Sequence, residues 1–354
     1  MNRSPARRLF PPVAGLACCV LAGFVFSRLH TPIPWMLGPL VTLAALRIMG
    51  LNLTAPRGAR QTGQWVVGTS LGLYFTPMVV HAVAGLWWIL IGAAVFAILV
   101  GYASALLLAR LSGVDRTTAI FASVPGGAAE MANLGERYGA RGDRVAAAQS
   151  VRILSVVMVL PALFTIFGLH GRDAYVPGIT TFEPARFTVL MLATLGGGFV
   201  AQRLKLPNAF VLGSLAVSIP LTASAIQLSA VPQVASNGAQ CLLGCALGAR
   251  FNPEFVRGAH RFMSAVVITV LAGLALSACG GFLLAWLAAS DPATLVLGTA
   301  PGGIAEMCIT AKVLQLGVPL VTACHVTRVV VLLLSTGPLF ARIKAARTRR
   351  RAGA

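Results

Sequence analysis

The chain has 354 residues, of which 57% are apolar and only 10% charged, with a formal net charge of +19; its mean hydropathy is +0.83. A soluble domain carries about 25% charged residues, so a chain with this little polar surface to offer water reads as a polytopic membrane protein. The positive charge does not indicate a nucleic-acid binder. Lys and Arg stand singly or in pairs at the ends of apolar stretches, as cytoplasmic loops hold them, and no recognition element accompanies them.

In chain order, residues 1–8 form a basic head and the first membrane repeat runs over 9–168. Its first apolar stretch, 9–27, is expected to stay as a helix, because apolar spans continue through the whole chain. Further spans are expected at 33–50, 61–80 and 84–109, the last opening on the interface-type pair Trp87 and Trp88. The stretch 116–135 contains Pro125-Gly126-Gly127 and should be a broken helix, since proline lacks an amide proton and the glycines are permissive. A span at 146–168 and a linker at 169–185 follow. The second repeat, 186–341, holds spans at about 187–202, 208–226, 236–251 and 262–288, a broken segment at 293–316 and a last span at 318–341. The tail, 342–354, is densely basic and suits the anionic lipid headgroups of an inner leaflet.

The two repeats are legible as repeats. Pro125-Gly126-Gly127-Ala128-Ala129-Glu130-Met131 returns as Pro301-Gly302-Gly303-Ile304-Ala305-Glu306-Met307, an offset of 176 residues (Pro125 to Pro301). At the same offset Gln64, Gly68 and Gly72 match Gln240, Gly244 and Gly248, Asp115 matches Asp291, and Arg152 matches Arg328. If each broken segment leaves the bilayer on the side it entered, each repeat has five crossings and the two are inverted. The basic residues favour this topology. Arg57 and Arg60 would otherwise share a side with the uncharged loop 227–235, and Arg110 and Arg116 with the uncharged loop at 288–292. The fold expected is therefore an all-α polytopic membrane protein of two inverted repeats, each with five transmembrane helices and one re-entrant segment.

Broken helices at corresponding positions of two inverted repeats point to a transporter-type binding site. The free amide end of such a break attracts an anion, and the breaks place Gly126, Gly127, Gly302 and Gly303 there. Glu130 and Glu306 are carboxylates at membrane depth, where an acid is either paired or functional. Arg152 and Arg328 could anchor an oxyanion or clamp those glutamates. Gln149 and His325 each lie three positions before an arginine, on the same helical face. Gln64 and Gln240 could bond across helices or hold a ligand. Asp115 and Asp291 suit helix caps. No nucleophile elbow, phosphate loop or cluster of histidines is present in the sequence, so no catalytic residue, cofactor or metal is expected. Cys241 and Cys245 stand alone at ligand spacing and read as buried small hydrophobes.

Pro-Gly-Gly-x-Ala-Glu-Met in duplicate, Pro34-Trp35-Met36-Leu37-Gly38-Pro39 and its echo from Pro207 to Gly213 make the chain similar to the bacterial AbrB-type duplicated membrane protein family. The resemblance covers about residues 10–342. Members carry labels naming an AbrB transcriptional regulator or an ammonia monooxygenase. The resemblance implies a bacterial inner-membrane location, and the regulator label implies an indirect effect on gene expression, since no segment is long enough for a DNA-reading domain. The residues favour a secondary transporter for a small polar or anionic solute, with a proton or cation as coupling ion; the alternative is a membrane-embedded sensor without net transport. Both termini are expected on the cytoplasmic side, and the Gly-xxx-Gly faces would allow a homodimer.

Overall fold

The structure is a computed structural model that describes residues 5–171, 181–226, 228–251 and 260–334, with side chains omitted at 5–10 and 129. Residues 1–4 of the basic head, the core of the linker, the loop around Arg257, the end of the last span and the basic tail lie outside the described residues.

The described residues form helices joined by short loops, with no strand among them. The first half contains α1 (Pro5–Arg28), α2 (Pro34–Ile48), α3 (Ala59–Gly72), α4 (Pro77–Gly85), α5 (Trp87–Ser112), α6 (Arg116–Ser123), α7 (Ala128–Arg137) and α8 (Gly142–Ile166). The second contains α9 (Pro184–Arg203), α10 (Ala209–Ala223), α11 (Gln233–Gly248), α12 (His260–Ala288), α13 (Pro292–Thr299), α14 (Ile304–Val313) and α15 (Val318–Leu334).

The chain is a membrane protein by its inside-out polarity. Large apolar side chains such as Leu99, Tyr102, Phe282 and Trp286 face outward, while Gln149, Arg152, Glu306, His325 and Arg328 are buried. Exposed apolar belts of that kind need lipid rather than water as solvent. Five helices (α1 from Pro11, α5, α8, α9 and α12) are long and apolar enough to cross a membrane. The expected single span at 61–80 is instead α3 and α4, bent by 91° at a short break; counted together they make a sixth. The helices α2 and α10 have 15 residues each, or about 22 Å of rise against a core of about 30 Å.

The helices sort into two bundles, each built from both halves. One holds α1, α2 and α3 with α9, α10 and α11; the other holds α5, α6, α7 and α8 with α12, α13, α14 and α15. In the first bundle the packing is crosswise. The Gly68-xxx-Gly72 face of α3 receives α10, and the Gly244-xxx-Gly248 face of α11 receives α2. A methyl group at Gly248 would stand 2.7 Å from the Leu40 carbonyl oxygen, and one at Gly68 2.8 Å from that of Val211. Those glycine faces are consumed inside the chain. This corrects the expectation that they serve a homodimer.

The backbone keeps the same register in both halves. Residues with left-handed φ occur as His30 and Lys205, Ile33 and Asn208, Gly50 and Ala225, Gly113 and Ala289, and Gly139 and Gln315. The first three pairs are 175 residues apart (His30 to Lys205) and the last two 176 (Gly113 to Ala289), so the duplication holds to within one residue along the chain. Ile33 and Asn208, at φ 50° and 49°, open α2 and α10. A buried β-branched residue in this region is rare, so its presence at Ile33 reflects a turn dictated by the fold rather than by local preference.

Candidate functional site

Each broken segment starts from a side-chain cap. Asp115 Oδ2 accepts from the Thr118 amide at 2.9 Å, and Asp291 Oδ2 accepts from the Thr294 amide at 2.8 Å and its hydroxyl at 2.7 Å. The same threonines then accept from backbone amides across the turn, Thr118 from Arg141 and Thr294 from Gly317. Both aspartates cap helices, as the sequence leads one to expect.

The Gly-Gly motif is explained by what its glycines leave room for. A methyl group at Gly126 would strike Met131, and at Gly302 it would strike Met307. At Gly127 and Gly303 it would collide with the carboxylates of Glu130 and Glu306. Each glutamate sits in the first turn after the break, at the positive end of its short helix, and folds back against the second glycine. The motif is thus a unit in which two glycines accommodate two side chains.

Breaking a helix leaves carbonyls without partners, and the next long helix supplies them. Gln149 Nε2 donates to the carbonyls of Phe121 at 2.8 Å and Val124 at 2.9 Å. At the equivalent place His325 Nε2 lies 3.1 Å from the Leu297 carbonyl. A carbonyl can only accept, so that nitrogen carries the proton. A histidine nitrogen serves one carbonyl where the glutamine amide serves two. The second is met by Arg328, which donates to Ala300 and Gly302 at 2.7 Å each. Gln149 and His325 therefore hold backbone rather than line the site.

Both breaks border one cavity of about 370 Å³. Gly126, Gly127 and Glu130 line it from the first half, and Gly302, Gly303 and Arg328 from the second. The start of α7 and the start of α14 both open onto it, and Arg137, Lys205 and Asn208 complete its polar wall. Three cations face it against one carboxylate, and Glu130 Oε2 is buried without a hydrogen-bond partner. Arg137, Lys205 and Asn208 escape sequence reading, since the first two look like loop charges and Asn208 like a turn residue. The only signal was that Lys205 and Asn208 flank the Pro207 echo.

Not every expected residue joins this cavity. Gln64 acts on its wall, donating to Asn208 Oδ1 at 3.1 Å, a position that Arg60 also reaches at 2.9 Å. Gln240 is buried on α11 and does not line the cavity. Glu306 is 8% exposed and also lies outside the lining. Arg152 lies apart, in a second and much smaller cavity with Ser123. No Glu–Arg clamp forms: among the described residues the ion pairs are the exposed Arg141–Asp143 and Arg186–Glu183. Arg250, read from sequence as a loop charge, is instead half-buried and feels the charges of Arg60, Glu306 and Glu130. Cys241 and Cys245 do not stand alone either. Cys19 of α1 joins them in one buried cluster, with its thiol 3.8 Å from the Pro39 carbonyl. Among the described residues no group of three or more potential ligands could hold a metal.

Comparison with known proteins gives a consistent set of relatives. A family model described as "Transition state regulatory protein AbrB" matches residues 35–344. The chain is 26% identical over 332 residues to a protein of Escherichia coli (strain K12) named "Putative regulator AbrB", covering 93% of this chain and 95% of that one. It is 28% identical over 350 residues to "Uncharacterized protein YhjN" of Bacillus subtilis (strain 168), covering 92% of this chain and 91% of that one.

Proposed function

The chain belongs to the AbrB family, and from that premise we propose that it carries a small anionic solute across a bacterial inner membrane through the cavity between its two broken helices. The observation that supports this reading is the convergence of two Gly-Gly breaks, 176 residues apart (Gly126 to Gly302), on one cavity. Its volume of about 370 Å³ falls in the range of small-molecule sites, about 300–1,000 Å³. Two helix starts with Arg137, Lys205 and Arg328 favour a carboxylate or an inorganic oxyanion over an amine. Glu130, the one carboxylate among the lining residues, supplies the coupling group.

In this reading the broken segments re-enter, the halves are inverted and both termini face the cytoplasm. Alternating access then comes from one bundle moving against the other around the breaks. Single cysteines placed at Met78 and Ala289 would label from outside intact cells; labelling of Ala289 only after permeabilisation would reject the inverted arrangement.

The transport reading is tested by counterflow in proteoliposomes against small carboxylates, phosphate and sulfate. Exchange of one of these, abolished in Lys205→Ala and Arg137→Ala and made proton-independent in Glu130→Gln, is the expected result. The name of the Escherichia coli relative favours a second reading, a sensor that acts on gene expression indirectly. Saturable binding without exchange would select that reading, and neither binding nor exchange would reject both.

A further inference from the structure

The second cavity, lined by Gly101, Ser104, Ser123, Arg152, Thr269 and Pro301 among others, has a volume of about 30 Å³. Two of its side chains are buried and unsatisfied. Arg152 is 4% exposed and Ser123 8%, and Arg152 Nε, Arg152 Nη1 and Ser123 Oγ have no hydrogen-bond partner.

Their counterparts in the second half show what is unusual. Arg328 is engaged with the carbonyls of Ala300 and Gly302. Thr299, the counterpart of Ser123, donates its hydroxyl within its own turn and towards Ser277 O at 3.0 Å, and its carbonyl accepts from the Ser277 hydroxyl at 2.6 Å. In the first half both ties are missing. Gln149 already serves the Val124 carbonyl, the counterpart of the Ala300 carbonyl that Arg328 clasps. Gly101 stands where the second half has Ser277, so the hydroxyl that donates to the Thr299 carbonyl has no counterpart opposite Ser123; a methyl group at Gly101 would already come within 3.2 Å of Pro125. Both released side chains line the same cavity.

We infer that this cavity is a halide site, filled by a single chloride-sized anion held by the Arg152 guanidinium and the Ser123 hydroxyl. The donors suit an anion and no carboxylate lines the cavity. A buried guanidinium without an ion pair is costly, and the charges acting on Arg152 from within the protein are Arg328, of like sign, and Glu306. The volume exceeds the roughly 10–15 Å³ that a cavity needs to hold one water, which admits a monatomic anion. The inference is independent of the solute cavity and of transport.

The test uses the full-length protein purified in gluconate and titrated with chloride or bromide. Thermal stability should rise saturably with either halide and not with acetate at equal ionic strength, and bromide-soaked crystals should show an anomalous peak beside the Arg152 guanidinium. Ser123→Ala should weaken the bromide response about tenfold, the effect of one lost charge-assisted hydrogen bond, and Arg152→Met should abolish it. If Arg152→Met does not fold, Ser123→Ala and the anomalous peak in the unmodified protein decide the matter. Equal stabilisation by acetate and bromide, or diffraction without a peak at Arg152, would show that water alone fills the site and overturn the inference.

Discussion

At the second break, Thr299 is bonded to α12 and Arg328 clasps two carbonyls of the interrupted chain; at the first, the equivalent Ser123 and Arg152 keep polar atoms without partners. The two segments share a motif, an aspartate cap and a backbone path, so the difference lies in a few neighbouring side chains. Gln149 stands in place of His325, and Gly101 in place of Ser277, beside the released arginine and hydroxyl. One break thus has its arginine and hydroxyl engaged with backbone, with only Arg328 Nε left over on that arginine, and the other leaves Arg152 Nε, Arg152 Nη1 and Ser123 Oγ free for a ligand. The glutamates divide similarly: Glu130 borders the large cavity, and Glu306 is buried away from it.

The sharpest way to break this comparison is to remove the two arginines separately. Arg328→Met deletes two buried charge-assisted hydrogen bonds and should cost about 3 kcal/mol or more, read as a large drop in thermal stability in detergent. Arg152→Met deletes none and relieves an unpaired buried charge, so it should be near neutral in gluconate. Equal losses would erase the asymmetry. Next in size, Gly127→Ala and Gly303→Ala push the end of a flexible glutamate side chain out of its place and should each cost about 1 kcal/mol. Only Gly127→Ala should also remove solute-dependent stabilisation, because only Glu130 faces the cavity.

Gln149→His makes the first break resemble the second. One carbonyl loses its donor, Arg152 becomes free to take it, and stability should fall by about 1 kcal/mol while the halide response disappears. The smallest effects belong to the caps. Asp115→Ala and Asp291→Ala should each cost about 1 kcal/mol, with Asp291 the larger because it also holds the Thr294 hydroxyl. Burial is the largest single influence on Asp115 and raises its pKa, but the hydrogen bonds from Thr118 and nearby amides together hold it below the usual 3.8. With the folded pKa depressed, the cap's contribution is present above pH 3.8 and is lost as the pH falls through the folded value. Acid unfolding of Asp115→Ala should therefore be less steep than that of the parent protein.

Much of the architecture is legible in the sequence because it rests on local rules. Hydropathy marks the membrane helices, proline and glycine mark the breaks, and aspartate before each broken segment marks its cap. The 91° bend after α3 is not marked, since Tyr74, Phe75 and Pro77 belong to an apolar run that reads as one span. The site is legible only in part. Glu130 and the glycines follow from the motif, but Lys205, Asn208 and Arg137 reach the cavity through tertiary packing that no periodicity encodes. Arg152 and Arg328 look identical by position, and which of them clasps the interrupted backbone is decided by side-chain packing that the repeat does not encode.

The crosswise packing of α2 on α11 and α3 on α10 also sets an order in time. A ribosome adds about 5–20 residues per second, and the partner of α2 lies roughly 200 residues downstream and that of α3 roughly 150, so those helices wait about 8–40 s for the surfaces that cover them. Throughout that interval the Gly68-xxx-Gly72 face is open to lipid or to another nascent chain. The first half is therefore the part of the molecule most exposed to mispairing during synthesis, and its safe assembly depends on the prompt arrival of the second.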